Sequence, residues 1–248
     1  MKHILITLFF LFSFFFLTEN LHAMHISEGI LPFSWSLLST CAAIPFLAYG
    51  LSELKKKSTD DISFKPLVGI MAAVVFIISC MPVPVPTAGT CSHPCGTGIS
   101  AILLGPFLSS LIASVALLLQ ALFLAHGGIS TWGANVMSMG IAGSFAGFLG
   151  FKISRKFGVN LYISAFMAGI LADWATYTMT SLELSLGIRG NEPFFPLFRD
   201  IFIAFIPTQL PIGILEGALT AGMVALLYNK RADLLLSLNI IKENEARA

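Results

Sequence analysis

The chain has 248 residues, of which 56% are hydrophobic and only 11% charged, with a formal net charge of +1. A mean hydropathy of +0.86 is more apolar than a soluble globular domain needs, and the chain holds several stretches long enough to cross a bilayer. The near-zero net charge provides no basic face for nucleic acid, and no long linker or low-complexity tail divides the chain. It reads as one integral membrane domain, all-α, behind a leader.

The leader comes first. Lys2 precedes an apolar run from Ile4 to Leu17, followed by the polar Thr18-Glu19-Asn20-Leu21-His22-Ala23. A basic start, an apolar middle and a polar tail ending in Ala describe a cleavable secretory signal peptide over residues 1–23, leaving a membrane domain over 24–248. The alternative is an uncut anchor with His25 an ordinary interfacial histidine, since Leu21 stands where a small residue is preferred. If the cut falls after Ala23, the mature chain begins with a free amine on Met24 and an imidazole one residue later. The amine, the His25 amide nitrogen and its ring Nδ1 can then close two fused chelate rings on one ion. The amine titrates at roughly 7.7–8.0 and the imidazole at about 6.5, so both release protons readily near neutral pH. Three nitrogens so linked favour a flat arrangement, suited to Ni(II) or Cu(II), that a fourth nitrogen would complete.

Phe33 to Leu51 is the first span of the mature chain, with Pro45 inside it, and Leu51 to Lys65 reads as a polar loop carrying Lys55, Lys56 and Lys57. Phe64 to Met81 is the second span. The stretch from Pro82 to Gly98 is too rich in proline and glycine for a regular helix. Ile99 to Ala125 is apolar but broken at Gly105-Pro106, and His126 to Ser130 is a turn. Trp132 to Phe151, Leu161 to Leu182 and Ile201 to Tyr228 are further spans. A break at Gly105-Pro106 allows a short descending piece, Thr97 to Leu104, and a returning helix from Pro106. Lys55–Lys57, the cluster Lys152, Arg155 and Lys156, and the pair Lys230 and Arg231 then all fall on the cytoplasmic side, with Arg189 and Arg199 outside. This gives seven transmembrane helical segments, a mature N-terminus outside and a C-terminus inside. Met24, His25, His93 and His126 come to one face, beside an irregular loop of the kind that marks binding sites in transporters.

The motifs Met24-His25-Ile26-Ser27-Glu28-Gly29, Cys91-Ser92-His93-Pro94-Cys95-Gly96-Thr97-Gly98, His126-Gly127-Gly128-Ile129 and Gly133-Ala134-Asn135 resemble those of the substrate-specific component of cobalt/nickel energy-coupling-factor transporters, the CbiM/NikM family. Ala172-Asp173-Trp174 and Pro211 to Gly217 look like its later motifs. The resemblance runs over essentially the whole mature chain. It implies a seven-helix protein of the bacterial inner membrane whose processed N-terminus folds into the bundle. The transported ion, Co2+ or Ni2+ with Co2+ favoured, would be held by the Met24 amine, the His25 amide and imidazole nitrogens and the His93 imidazole. No further cofactor is implied. The partners implied are a membrane coupling protein, cytoplasmic ATP-binding subunits and a small membrane subunit.

Cys95 departs from the hydroxyl residue expected in its motif. With Cys91 it could form a soft ligand pair or a disulfide, or both could be small packed thiols. Cys41 and Cys80 lie in spans and read as core. Asp173 and Glu216 lie in apolar segments, where a charge costs at least about 2.5 kcal/mol. Trp174, Tyr177 or Thr220 could bond them, or they could orient His93 or the amine from behind. Ser92 and Thr97 join them as supporting residues. Glu28 is placed as a brace for the terminal loop, His126 beside the site, and Asn135 against exposed backbone of the His93 loop. Gly143 with Gly147, and Gly69 with Ala73, mark either close helix packing or a docking face. The sequence contains no GxxxxGK[ST], HExxH or GxSxG. A transporter component without its own ATPase is therefore the expectation. The competing reading is an autonomous membrane transporter or a membrane-embedded metalloenzyme using the same histidines.

Overall fold

The computed structural model describes residues 25–81, 83–85 and 90–246. The leader 1–23 and the ligand expected at Met24 lie outside the described residues, as does the side chain of Cys91. The helices are α1 (Phe33–Asp60), α2 (Phe64–Ser79), α3 (Thr97–Leu104), α4 (Pro106–Phe123), α5 (Trp132–Lys156), α6 (Leu161–Ile188), α7 (Phe194–Ser237) and a terminal turn, α8 (Glu243–Ala246). Between α2 and α3 sit two short antiparallel strands, β1 (Val83–Val85) and β2 (Thr90–Ser92), with Val83 opposite Ser92. Among the described residues, seven helical segments, the short α3 included, form the bundle. Four of them, α1, α4, α5 and α7, are long and apolar enough to cross a membrane.

The bundle is organised for an apolar solvent. Phe33, Ile44, Leu122 and Phe195 face outward, while Ser100, Ser109, Ser144, Gln120, Asp173 and Glu216 are buried. Their partners are internal: Ser109 Oγ lies 2.5 Å from Ser100 Oγ and 2.7 Å from Ser144 Oγ. A polar group in lipid must find its partner within the protein, so such networks collect inside.

The break between α3 and α4 falls at the predicted pair. Gly105 takes a φ of +91°, which only glycine adopts without strain, and Pro106 opens α4 with its fixed φ and no donor to leave unpaired. α3 has eight residues, about 12 Å of rise, and all are buried. α4 then runs about 27 Å from the basic end of the molecule to the His126 turn. At the basic end, Lys57, Lys152 and residues 237–240 line one cleft, and Arg155, Lys156 and Lys242 line the next.

Three predicted boundaries need correction. The polar loop expected from Leu51 is helical to Asp60, because Glu53 and Lys57 pair at 2.7 Å one turn apart and Lys57 Nζ donates to the Leu104 carbonyl at 3.4 Å. The last helix begins at Phe194, not Ile201, because Phe194, Phe198 and Phe202 stack along one face with centroids 5.7 and 5.8 Å apart. It continues past Tyr228 to Ser237, leaving helical geometry at Arg231 (φ −145°, ψ 52°). The tail folds back: Arg155 pairs with Glu245, and the Tyr228 hydroxyl donates to the Glu245 carbonyl. Cys41, expected in the core, faces outward.

Close backbone approach joins α3, α6 and α7. A Cβ on Gly98 would sit 2.9 Å from Gly169 Cα, and one on Gly169 would sit 2.6 Å from the Glu216 carbonyl oxygen. A Cβ on Gly143 or Gly147 would likewise meet Thr176 Oγ1 at 2.6 Å or the Ala168 carbonyl at 3.1 Å, so that pair serves packing. Gly69 faces open space on the outer surface of α2.

Candidate metal centre

The segment from His25 to Leu31 folds back over the mouth of the bundle, with Ile26 and Leu31 buried. Asn135 grips Ile26 at both backbone groups. Its Oδ1 accepts from the Ile26 N–H at 2.9 Å and its Nδ2 donates to the Ile26 carbonyl at 3.1 Å. Thr131 Oγ1 donates to the same carbonyl at 2.6 Å. Asn135 therefore satisfies the N-terminal segment rather than the His93 loop expected from sequence. The Glu28 carboxylate accepts from the Ser130 N–H at 3.0 Å, which ties the segment to the His126 turn and holds that carboxyl below its usual range. With Ile26 and Glu28 held, the His25 ring is carried into the mouth of the bundle.

There it joins a cluster of three imidazoles. The His25 and His93 ring centroids are 4.6 Å apart, His25 and His126 4.8 Å, and His93 and His126 5.0 Å. One ligand atom from each lies within 4.8 Å of the others. All three belong to connecting segments rather than to spanning helices. Burial disfavours the charged form of each, aided by mutual repulsion at His25 and His126, and pushes His93 to about 4 and His126 to about 3. They are neutral near pH 7, the form that binds metal.

Hydrogen bonds decide which nitrogen of each ring is free. Ser79 Oγ donates to the Val75 carbonyl at 2.7 Å and accepts from Gln120 Nε2 at 2.6 Å. That orients Gln120 Oε1 toward His25 Nε2, 3.0 Å away, so Nε2 carries the proton and Nδ1 keeps its lone pair. Nδ1 is the atom that can chelate together with the terminal amine and the His25 amide. His93 Nδ1 lies 3.0 Å from the Pro94 carbonyl, which can only accept, so its Nε2 is the open acceptor. The Nε2 atoms of both His93 and His126 are buried without a hydrogen-bond partner. Two buried imidazole nitrogens with open lone pairs in one cluster suit a shared metal ion.

A second buried group, Cys95, Asp173 and Glu216, lies beneath the His93 loop. The Glu216 carboxylate accepts from the Cys95 N–H and, at 2.8 Å, from the Gly96 N–H. It thus holds the backbone two and three residues beyond His93. Cys95 is a free thiol, 3.8 Å from Asp173 Oδ1 and 3.5 Å from Thr176 Oγ1. Cys95 is thus a buried thiol packed against Asp173 and Thr176. Trp174 Nε1 donates to the Gln209 carbonyl at 3.2 Å rather than to either acid. Tyr177 donates to the His93 carbonyl at 3.4 Å, and Gln209 Nε2 to Ser92 Oγ at 2.9 Å. Thr97 does not join the centre: its carbonyl accepts from Ser100 and Ser109 in the serine network.

Gln120, Thr131 and Gln209 were not singled out from sequence. Gln120 carried a signal: it is a solitary amide in the apolar α4, and such a group must have an internal partner. Gln209, an amide within the apolar α7, carried the same signal, and Thr131, beside a turn, carried none.

The family model described as a cobalt uptake substrate-specific transmembrane region matches residues 25–234. A cobalt transport protein CbiM of Geobacter sulfurreducens is 66% identical over 220 residues, which span 89% of this chain but only 64% of that relative. A cobalt transport protein CbiM of Sorangium cellulosum is 52% identical, over 88% of this chain and 97% of the relative. Among solved structures, a truncated transition metal transporter superposes with a TM-score of 0.72 at 26% identity, covering 83% of this chain and 99% of that one. A second transition metal transporter gives 0.71 at 25% identity, covering 88% and 100%. The chain belongs to the CbiM family, whose shared region is the substrate-specific transmembrane region of cobalt uptake.

Proposed function

We propose that this chain captures Co2+ at the outer face of the bacterial inner membrane, as the substrate-binding component of an ATP-driven energy-coupling-factor importer. Ni2+ is the second ion the same ligands accept. The ligands are the Met24 amine, the His25 amide nitrogen and Nδ1, and His93 Nε2. The observation that carries this is the orphaned Nε2 of His93, buried 4.6 Å ring to ring from a His25 whose Nδ1 is left free by Gln120. The names of the relatives support cobalt as cargo and a transporter component rather than an enzyme.

The basic end, with Lys57, Lys152 and Arg155, faces the cytoplasm in this reading. There the chain meets a membrane coupling protein and ATP-binding subunits, with a small membrane subunit completing the assembly. The test is metal content and uptake together. Purified wild-type chain should hold one equivalent of cobalt or nickel, and His93→Ala should hold less than a tenth of that. Uptake into vesicles should require the ATP-binding subunits and ATP. Full metal retention by His93→Ala overturns the ligand set, and uptake by this chain alone overturns the importer reading.

A further inference from the structure

We infer that His126 supplies a fifth nitrogen to the ion, along the axis perpendicular to the plane of the other four, and that this ligand favours Co(II) over Ni(II). The inference rests on the chelate reading above and adds a residue that the flat four-nitrogen site does not need.

The argument is geometric. In a chelate that begins at Met24, the amide nitrogen lies between the amine and His25 Nδ1, so the amine stands opposite the imidazole. His93 then takes the corner opposite the amide, at a right angle to His25. A metal–nitrogen bond of about 2.0–2.1 Å puts each ring centre about 3.2 Å from the ion, so rings at right angles lie about 4.5 Å apart and opposite rings about 6.4 Å. The observed 4.6 Å between His25 and His93 fits the right angle. His126 lies 4.8 Å from one and 5.0 Å from the other, and so stands at close to a right angle to both. Around a square plane, only the axis is at right angles to two adjacent corners.

Local structure aims His126 there. Ala125, just before it, holds a φ of +49°, a conformation that residues with a Cβ rarely adopt. The His126 N–H donates to the Gln120 carbonyl at 3.2 Å, and the same Gln120 side chain meets His25. One residue thus holds the His25 ring and the His126 backbone. Glu28 packs against Gly128 from the other side, where a Cβ would come within 2.6 Å of its carboxylate. The His126 Nε2 is buried with no other partner.

The consequence follows from electron count. In a flat field of four nitrogens, Ni(II) fills the orbital that points along the axis and gains little from a fifth donor. Co(II) has one electron fewer, leaves that orbital half empty and accepts the donor. Ligand type alone cannot favour Co(II), because intrinsic affinity rises from Co(II) to Ni(II). An axial imidazole opposes that order.

X-ray absorption at the cobalt edge tests this on the full mature chain in lipid nanodiscs, loaded with Co(II) alone. Five nitrogens, three of them with imidazole scattering, are expected. His126→Ala should show two imidazoles, and its preference for Co(II) over Ni(II), measured by competition, should fall by more than about tenfold, the scale on which metal-site groups act. Cobalt bound by the wild type through only two imidazoles overturns this inference and leaves the chelate standing. A wild type that binds no cobalt overturns the chelate itself. Because the wild-type spectrum carries the decisive count, a poorly folding variant does not blunt the test.

Discussion

Replacing Glu216 by glutamine separates a group that merely packs from one that holds the metal loop in place. The carboxylate accepts from two backbone donors, the N–H of Cys95 and that of Gly96 at 2.8 Å. Glutamine keeps the shape but has one accepting oxygen, so its amide N–H must face one of the two donors. A buried donor left unpaired costs about 1–3 kcal/mol, and the surviving bond weakens because its acceptor is no longer a carboxylate. A total near 2–4 kcal/mol is therefore expected. If roughly half of it falls on holding His93 in place rather than on the fold, the metal dissociation constant rises about 5- to 30-fold, at about 1.4 kcal/mol per tenfold. Isothermal titration with Co(II) on purified Glu216→Gln reads this directly. The same substitution in a His93→Ala background should have no further effect on affinity, because the residue acts through His93. An affinity within twofold of wild type, or an equal loss in both backgrounds, refutes the reasoning and leaves Glu216 a structural residue.

Three further outcomes are expected. Gln120→Leu strands the His25 Nε2–H and should weaken Co(II) binding about 10- to 100-fold, whereas Gln120→Glu keeps the acceptor and should recover most of the affinity in the same titration. Gly169→Ala drives a methyl to within 2.6 Å of the Glu216 carbonyl and should lower stability by about 1–3 kcal/mol, read as a lower melting temperature in detergent. The Arg155–Glu245 pair, which holds the Glu245 carboxyl below its ordinary value, keeps the tail docked at neutral pH. That contribution is complete above about pH 4.5 and disappears as pH falls through the lowered value, so proteolysis near residue 240 should accelerate only in acid and Glu245→Gln should accelerate it at pH 7.

Much of the architecture was legible because lipid imposes simple rules. Long apolar runs became α1, α4, α5 and α7, and Lys57, Lys152 and Arg155 gather at one end of the bundle, as the charge pattern required. The Gly105-Pro106 break was visible because no other residue pair stops one helix and starts the next so economically. The helix ends were not visible, because beyond the membrane the chain is free to continue a helix if local pairs such as Glu53 with Lys57 support it. The convergence of His25, His93 and His126 followed from placing their segments on one face. The partner of Asn135 did not, since choosing between two nearby backbones takes ångström-scale information. The role of Glu216 was half legible: a carboxylate in an apolar helix must bind something, but sequence does not say that the something is the amide pair after His93.

Native mass spectrometry of the intact, purified protein reads the N-terminal residue and the bound metal from a single ion. The account predicts a chain that begins at Met24 and carries one cobalt or nickel. A metal-loaded chain that still begins upstream of Met24 would contradict it, because the amine on which the chelate starts would then be locked in a peptide bond.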